Sequence, residues 1–136
     1  MDVDEARDFV SKNHRGVLFT RRSDGSPQTS PVIATVDGAG RIVVSSRETA
    51  YKVKNLRRDP RATYTAMNDA FYGAWAQIDG TAEIVSLPEA MDGLIEYYRS
   101  SGGEHPDWDD YRAAMERDRR VLIAITPERA GPNVSG

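Results

Sequence analysis

Ser45, Ser46, Arg47 and Lys52 put two hydroxyls, a guanidinium and an amine within one short stretch, the grouping best suited to hold an anion. A helix opened at Ser45 would offer unpaired N–H groups and the positive end of its dipole, a natural seat for phosphate. Lys52 adds a cation about two turns on, and Arg47 adds a forked donor that stays charged. The same residues admit a plainer account. Ser45 and Glu48 form the reciprocal pattern of a capping box, and Glu48 lies one turn before Lys52, placed for an ion pair.

The usual catalysts are missing. The two histidines, His14 and His105, are far apart and neither has a spaced partner. Glu104, His105 and Asp107 would serve either as an exposed polar loop or as a metal site, and the loop is the simpler account, so no metal is assigned. There is no cysteine, which removes disulfides, thiol catalysis and cysteine metal sites together. No nucleophile elbow or P-loop appears, and Gly38-x-Gly40 sits between two strands, where a hairpin turn explains it. A borrowed cofactor would carry the reaction of such an enzyme.

Charge narrows the partners. The chain has 136 residues and a net charge of −3. From Arg47 to Arg61 six bases face two acids, whereas from Glu83 to Asp118 ten acids face three arginines. One confined basic segment on an acidic protein suits a small anionic ligand and argues against a nucleic-acid partner. The longest apolar run, residues 121–125, is far too short to span a membrane, and the acidic N-terminus does not read as a signal peptide. A soluble cytoplasmic protein of one domain is expected, residues 1–136, with an irregular tail over 127–136.

The elements that must position these residues are mostly strands. Ala6, Phe9 and Val10 predict a short helix over 4–13. Strands follow over 17–20, 28–36 and 41–45, with Asp24-Gly25 closing the first hairpin. The helix after Ser45 carries Ala50, Val53 and Leu56 on one stripe and stops before Pro60. Residues 62–67 and 73–85 read as strands, the second alternating Ala76, Ile78, Ala82 and Ile84 with polar neighbours. A second capping box, Ser86 to Glu89, opens a helix bearing Leu94 and Ile95, and Asp107 caps a shorter one bearing Trp108, Tyr111 and Met115. Residues 120–126 form a last strand buried on both faces. Six strands joined by short turns predict an antiparallel, barrel-like sheet.

The segment from Ser45 to Ala62, SSRETAYKVKNLRRDPRA, resembles the strand–helix–strand core of the pyridoxamine-phosphate-oxidase-like split β-barrels. Residues 75–82, WAQIDGTA, are similar to their long strand. Residues 55–60, 103–112 and 118–122 resemble the actinobacterial branch of coenzyme F420 (deazaflavin)-dependent oxidoreductases. The resemblance implies a mainly β, six-stranded split barrel of the FMN-binding type. It further implies a homodimer with the tricyclic ring in a groove between subunits. The phosphate would lie near Ser45, Ser46 and Lys52, while Gln28 and Ser30 would approach the ring or its ribityl chain. Trp75 and Gln77 would face the same groove, and Asn55 and Arg58 would join the cofactor-binding set. Relatives often carry arginine where this chain has Ala50, a role that falls to Arg47, Lys54 or Arg58. The implied reaction is hydride transfer from reduced coenzyme F420 to a conjugated small molecule, with no catalytic side chain assigned. An FMN-dependent enzyme and a non-catalytic cofactor carrier are the alternatives.

Overall fold

The computed structural model describes residues 1–70 and 72–132. In chain order these form α1 (Val3–Lys12), β1 (Arg15–Arg21), β2 (Pro27–Ile33), β3 (Thr35–Val36), β4 (Ile42–Arg47), α2 (Tyr51–Arg58), β5 (Arg61–Met67), β6 (Trp75–Val85), α3 (Met91–Gly102), α4 (Trp108–Arg117) and β7 (Arg120–Gly131). All strands join one antiparallel sheet in the order β2-β1-β5-β6-β7-β4-β3, curled into a half-barrel. The mainly β split-barrel expectation holds, with seven strands in place of six. The extra strand arises where the chain changes partner: Ile33 is the last residue paired with β1 and Thr35 the first paired with β4, with Ala34 between them donating its N–H to the His14 carbonyl at 2.8 Å.

Two cores explain the runs of apolar residues. Ile42 and Val44 of β4 and Val121, Ile123 and Ile125 of β7 face the inside of the curl, with Ala6 and Val10 of α1 and Val53 and Leu56 of α2. Val43, Leu122 and Ala124, at the alternate positions, face Leu94, Ile95 and Tyr111 of α3 and α4. Side chains alternate along a strand, so only a strand covered on both faces reads as unbroken apolar sequence.

The first hairpin closes as expected. Gly25 takes φ +86°, a conformation that suits glycine, and Asp24 accepts from the Ser26 N–H at 2.9 Å. Asp2 and Asp107 cap α1 and α4 through their side chains.

Three boundaries differ from expectation. Pairing with β7 (Ser45 with Leu122, Ser46 with Val121, Arg47 with Arg120) keeps β4 extended through Arg47. Ser45 is therefore no helix cap; α2 begins after Ala50 and has no side-chain cap. Likewise β6 runs to Val85, and α3 begins after Ala90 instead of at the Ser86 capping box. The expected irregular tail is strand through Gly131, held against β6 by pairs such as Asp79 with Arg129. The register shifts between Asp79 and Gly80, where a Cβ on Gly80 would collide with the Thr126 carbonyl. Residues 133–136 of that tail lie outside the described residues.

Candidate functional site

A groove of about 510 Å³ runs between the β2 end of the sheet and the outer face of β4, lined by Arg15, Pro31, Ile33, Ser45, Lys52 and Tyr97 among others. It contains two cations and no carboxylate. Lys52 comes from the first turn of α2, and Ser45 from β4, on the face opposite the barrel interior. Tyr97 reaches in from α3 and donates its hydroxyl to the Ile33 carbonyl at 2.8 Å. Burial raises the Tyr97 pKa above its ordinary value, keeping the phenol neutral.

Lys52 has no carboxylate partner among the described residues. Glu48, its expected partner, is taken by Arg57 through two contacts of 2.7 and 2.9 Å. Burial, then the nearby Arg120 charge, pushes the Lys52 pKa below that of an ordinary lysine. A half-desolvated ammonium without a counter-ion, beside a hydroxyl and an uncapped helix start, is a donor set that fits a phosphoryl group.

The remaining expected residues separate into distinct places. Ser46 is buried on the barrel side and donates to the Arg47 carbonyl at 3.1 Å, so its side chain points away from Ser45. Arg47 is exposed at the end of β4.

Gln28, Ser30, Asn55 and Arg58 form one relay with a residue the sequence did not single out, Thr20. Arg58 donates to Asn55 Oδ1 at 3.0 Å, and Asn55 Nδ2 donates to Thr20 Oγ1 at 3.1 Å. Thr20 in turn donates to Gln28 Oε1 at 3.2 Å, and Gln28 Nε2 donates to Ser30 at 3.0 Å. The relay ties α2 to β1 and β2 and fixes the polar inner face of β2. Asn55→Ala is expected to lower stability by about 1 kcal/mol in denaturant unfolding, because Thr20 and Arg58 each keep another partner.

Gln77 lies on the outward face of the sheet, donating to Asp79 at 3.3 Å beside Thr63 and Arg129. Trp75 lines a separate, largely apolar cavity of about 590 Å³ with Met67 and Ala74. Arg15 borders both that cavity and the Lys52 groove. One chain thus brings Ser45 and Lys52 together and leaves Trp75 and Gln77 beyond Arg15.

Arg120 and Tyr97 were missed by sequence reasoning. The available signal for Arg120 was the Arg119-Arg120 pair opening the last strand; Tyr97 sits one position from the apolar stripe and gave none. His105 belongs to an aromatic cluster with Tyr98, Trp108 and Tyr111, its ring 5.1 to 5.6 Å from theirs. Among the described residues no three potential ligand side chains gather to hold a metal.

A family model described as pyridoxamine 5′-phosphate oxidase matches residues 3–132. The chain belongs to that family.

Within the pyridoxamine 5′-phosphate oxidase family, the chain is 28% identical over 128 residues to an F420H(2)-dependent biliverdin reductase of Mycobacterium tuberculosis (strain CDC 1551 / Oshkosh). That alignment covers 93% of this chain and 84% of the relative. Among solved structures, conserved hypothetical protein Rv2991 of Mycobacterium tuberculosis superposes with TM-score 0.78 at 26% identity, over 100% of this chain and 92% of that one. An F420 reductase shares the fold with TM-score 0.69 at 21% identity, over 92% of this chain and 94% of that one.

Proposed function

We propose that this chain is an oxidoreductase that binds coenzyme F420 in the Lys52 groove and reduces a conjugated small-molecule acceptor. The observation that carries the reading is the groove itself: Arg15, Ser45 and Lys52 without a carboxylate, at the open start of α2. The 28% identical relative, whose name includes F420H(2), supports the deazaflavin over FMN. When bound, the deazaflavin supplies the hydride. Lys52 and Ser45 bind the anionic stem, the helix start adds N–H donors, and Tyr97 closes the groove wall on the α3 side. Gln28 and Ser30 act from the inner face of β2, where the relay from Arg58 steadies the strand that forms one wall of the groove. Ser46, on the barrel side, serves by supporting β4.

A second copy of the chain completes the site in this reading, bringing its own Trp75 and Gln77 to the groove. The dimer works in the cytoplasm on a small molecule. Among the described residues, no helix is long and apolar enough to cross a membrane.

Parallel titrations with coenzyme F420, FMN and pyridoxal phosphate, read by tryptophan fluorescence with Trp75→Phe as control, test the reading. Coenzyme F420 should bind most tightly and quench Trp75; tighter binding of FMN would overturn the deazaflavin assignment. Reduced coenzyme F420 with the protein should then bleach at least one acceptor in a panel of quinones, unsaturated lactones and linear tetrapyrroles. Tight binding with no acceptor reduced would instead favour a cofactor carrier.

A further inference from the structure

Arg120 carries a buried side-chain donor without a partner: its Nε makes no hydrogen bond within the described residues. It stands directly across the β4–β7 ladder from Arg47. Like charges facing each other in an antiparallel pair repel, and neither arginine has a carboxylate partner among the described residues. Arg120 also adds its field to Lys52, Tyr97 and Tyr111. A cavity of about 340 Å³ beside it holds Glu48, already paired with Arg57, and Glu116, which lies beyond ion-pair reach of Arg120. Arg120 thus has one base, Arg47, across the ladder and a second, Lys52, within reach of its field, and no carboxylate among the described residues pairs with any of the three. A buried donor left unmet costs stability, so the arrangement calls for an acceptor from outside.

We propose that Arg120, which lines the neighbouring cavity and lies on the same face of the β4–β7 ladder as Ser45, two residues from that serine's partner, is an anion-binding residue at the border of the groove, forming with Lys52 a two-cation seat for a ligand phosphoryl group at the expense of ligand-free stability. The inference rests on reading the groove as an anion site and adds a residue and a stability consequence to it. Binding and folding pull in opposite directions here, as they commonly do where a site keeps unpaired charge.

The test is thermal melting of the parent, Arg120→Gln and Arg120→Lys proteins with and without inorganic phosphate, at ionic strength matched with chloride. Without phosphate, Arg120→Gln should melt at or above the parent temperature, because repulsion is relieved and a neutral amide replaces the guanidinium. Added phosphate should raise the parent melting temperature, leave Arg120→Gln unmoved, and raise Arg120→Lys by an intermediate amount. Coenzyme F420 should bind Arg120→Gln about fivefold more weakly than the parent. A variant that melts lower without phosphate and still responds to it would make Arg120 a structural residue and overturn the inference. A Lys variant that behaves like Gln would overturn it too, since charge would then not be the cause. Should Lys52→Ala abolish cofactor binding while Arg120→Gln leaves it intact, this inference fails and the functional reading stands. An Arg120-dependent phosphate response without binding of any tricyclic cofactor would sink the functional reading and leave this inference in place.

Discussion

Lys52→Ala weakens binding of the anionic cofactor about tenfold to a hundredfold, the range expected when one charge-assisted contact is lost, or about 1.4–2.7 kcal/mol. The effect is large because Lys52 is the groove cation with no carboxylate to fall back on: Glu48 is held by Arg57, and Arg15 is paired with Asp69 at 3.4 Å. The dependence on pH has a definite sign. An anion needs the protonated amine, and burial together with Arg120 already lowers the Lys52 pKa. Affinity should therefore hold at neutral pH and fall in the alkaline range earlier than for an ordinary lysine. Tyr97, its pKa raised by burial, does not ionise ahead of an ordinary phenol and so does not reverse the trend. Isothermal titration from neutral to alkaline pH checks both points. An affinity in Lys52→Ala equal to the parent's would mean that the groove seats something else.

Leu94→Ala should cost about 3 kcal/mol of unfolding free energy, near the middle of the range for emptying a packed leucine site. Leu94 is fully buried and central to the second core, between α4 and the outer face of β4 and β7. Its backbone carbonyl keeps the Tyr111 hydroxyl bond at 2.8 Å, so the loss is one of packing alone. Because α3 also carries Tyr97, the loosened helix should widen the groove wall, and urea unfolding followed by both far-UV dichroism and tryptophan fluorescence would register it. A change below about 1 kcal/mol would show that the helix relaxes to fill the gap.

Much of this architecture could be read from residues alone. The alternation from Ala76 to Ile84 gave β6, the run from Val121 to Ile125 gave a strand buried on both faces, and Asp24-Gly25 gave the first turn. The start of α2 could not be read, because β7, more than 70 positions along the chain, keeps Ser45 to Arg47 extended. Local capping chemistry at Ser45 was outweighed by a long-range ladder. The strand after Thr126 was hidden for a related reason: its outer residues are polar and aperiodic, and only backbone pairing with β6 makes them a strand. At the site, Lys52 was legible as a cation in a basic stretch. Thr20 and Tyr97 were not, since a lone threonine or tyrosine acquires meaning only from what the fold sets beside it.

Both borders of the sheet are poor templates for growth. β3 has only two residues, and β2, at the other border, carries Pro27 and Pro31, which have no N–H to offer a newcomer. Fibril formation by strand addition is thereby discouraged, and copies of this chain that meet in solution are steered towards contacts made by side chains instead of by backbone edges. Prolonged incubation at high concentration should accordingly yield discrete particles in light scattering and no thioflavin-positive ribbons.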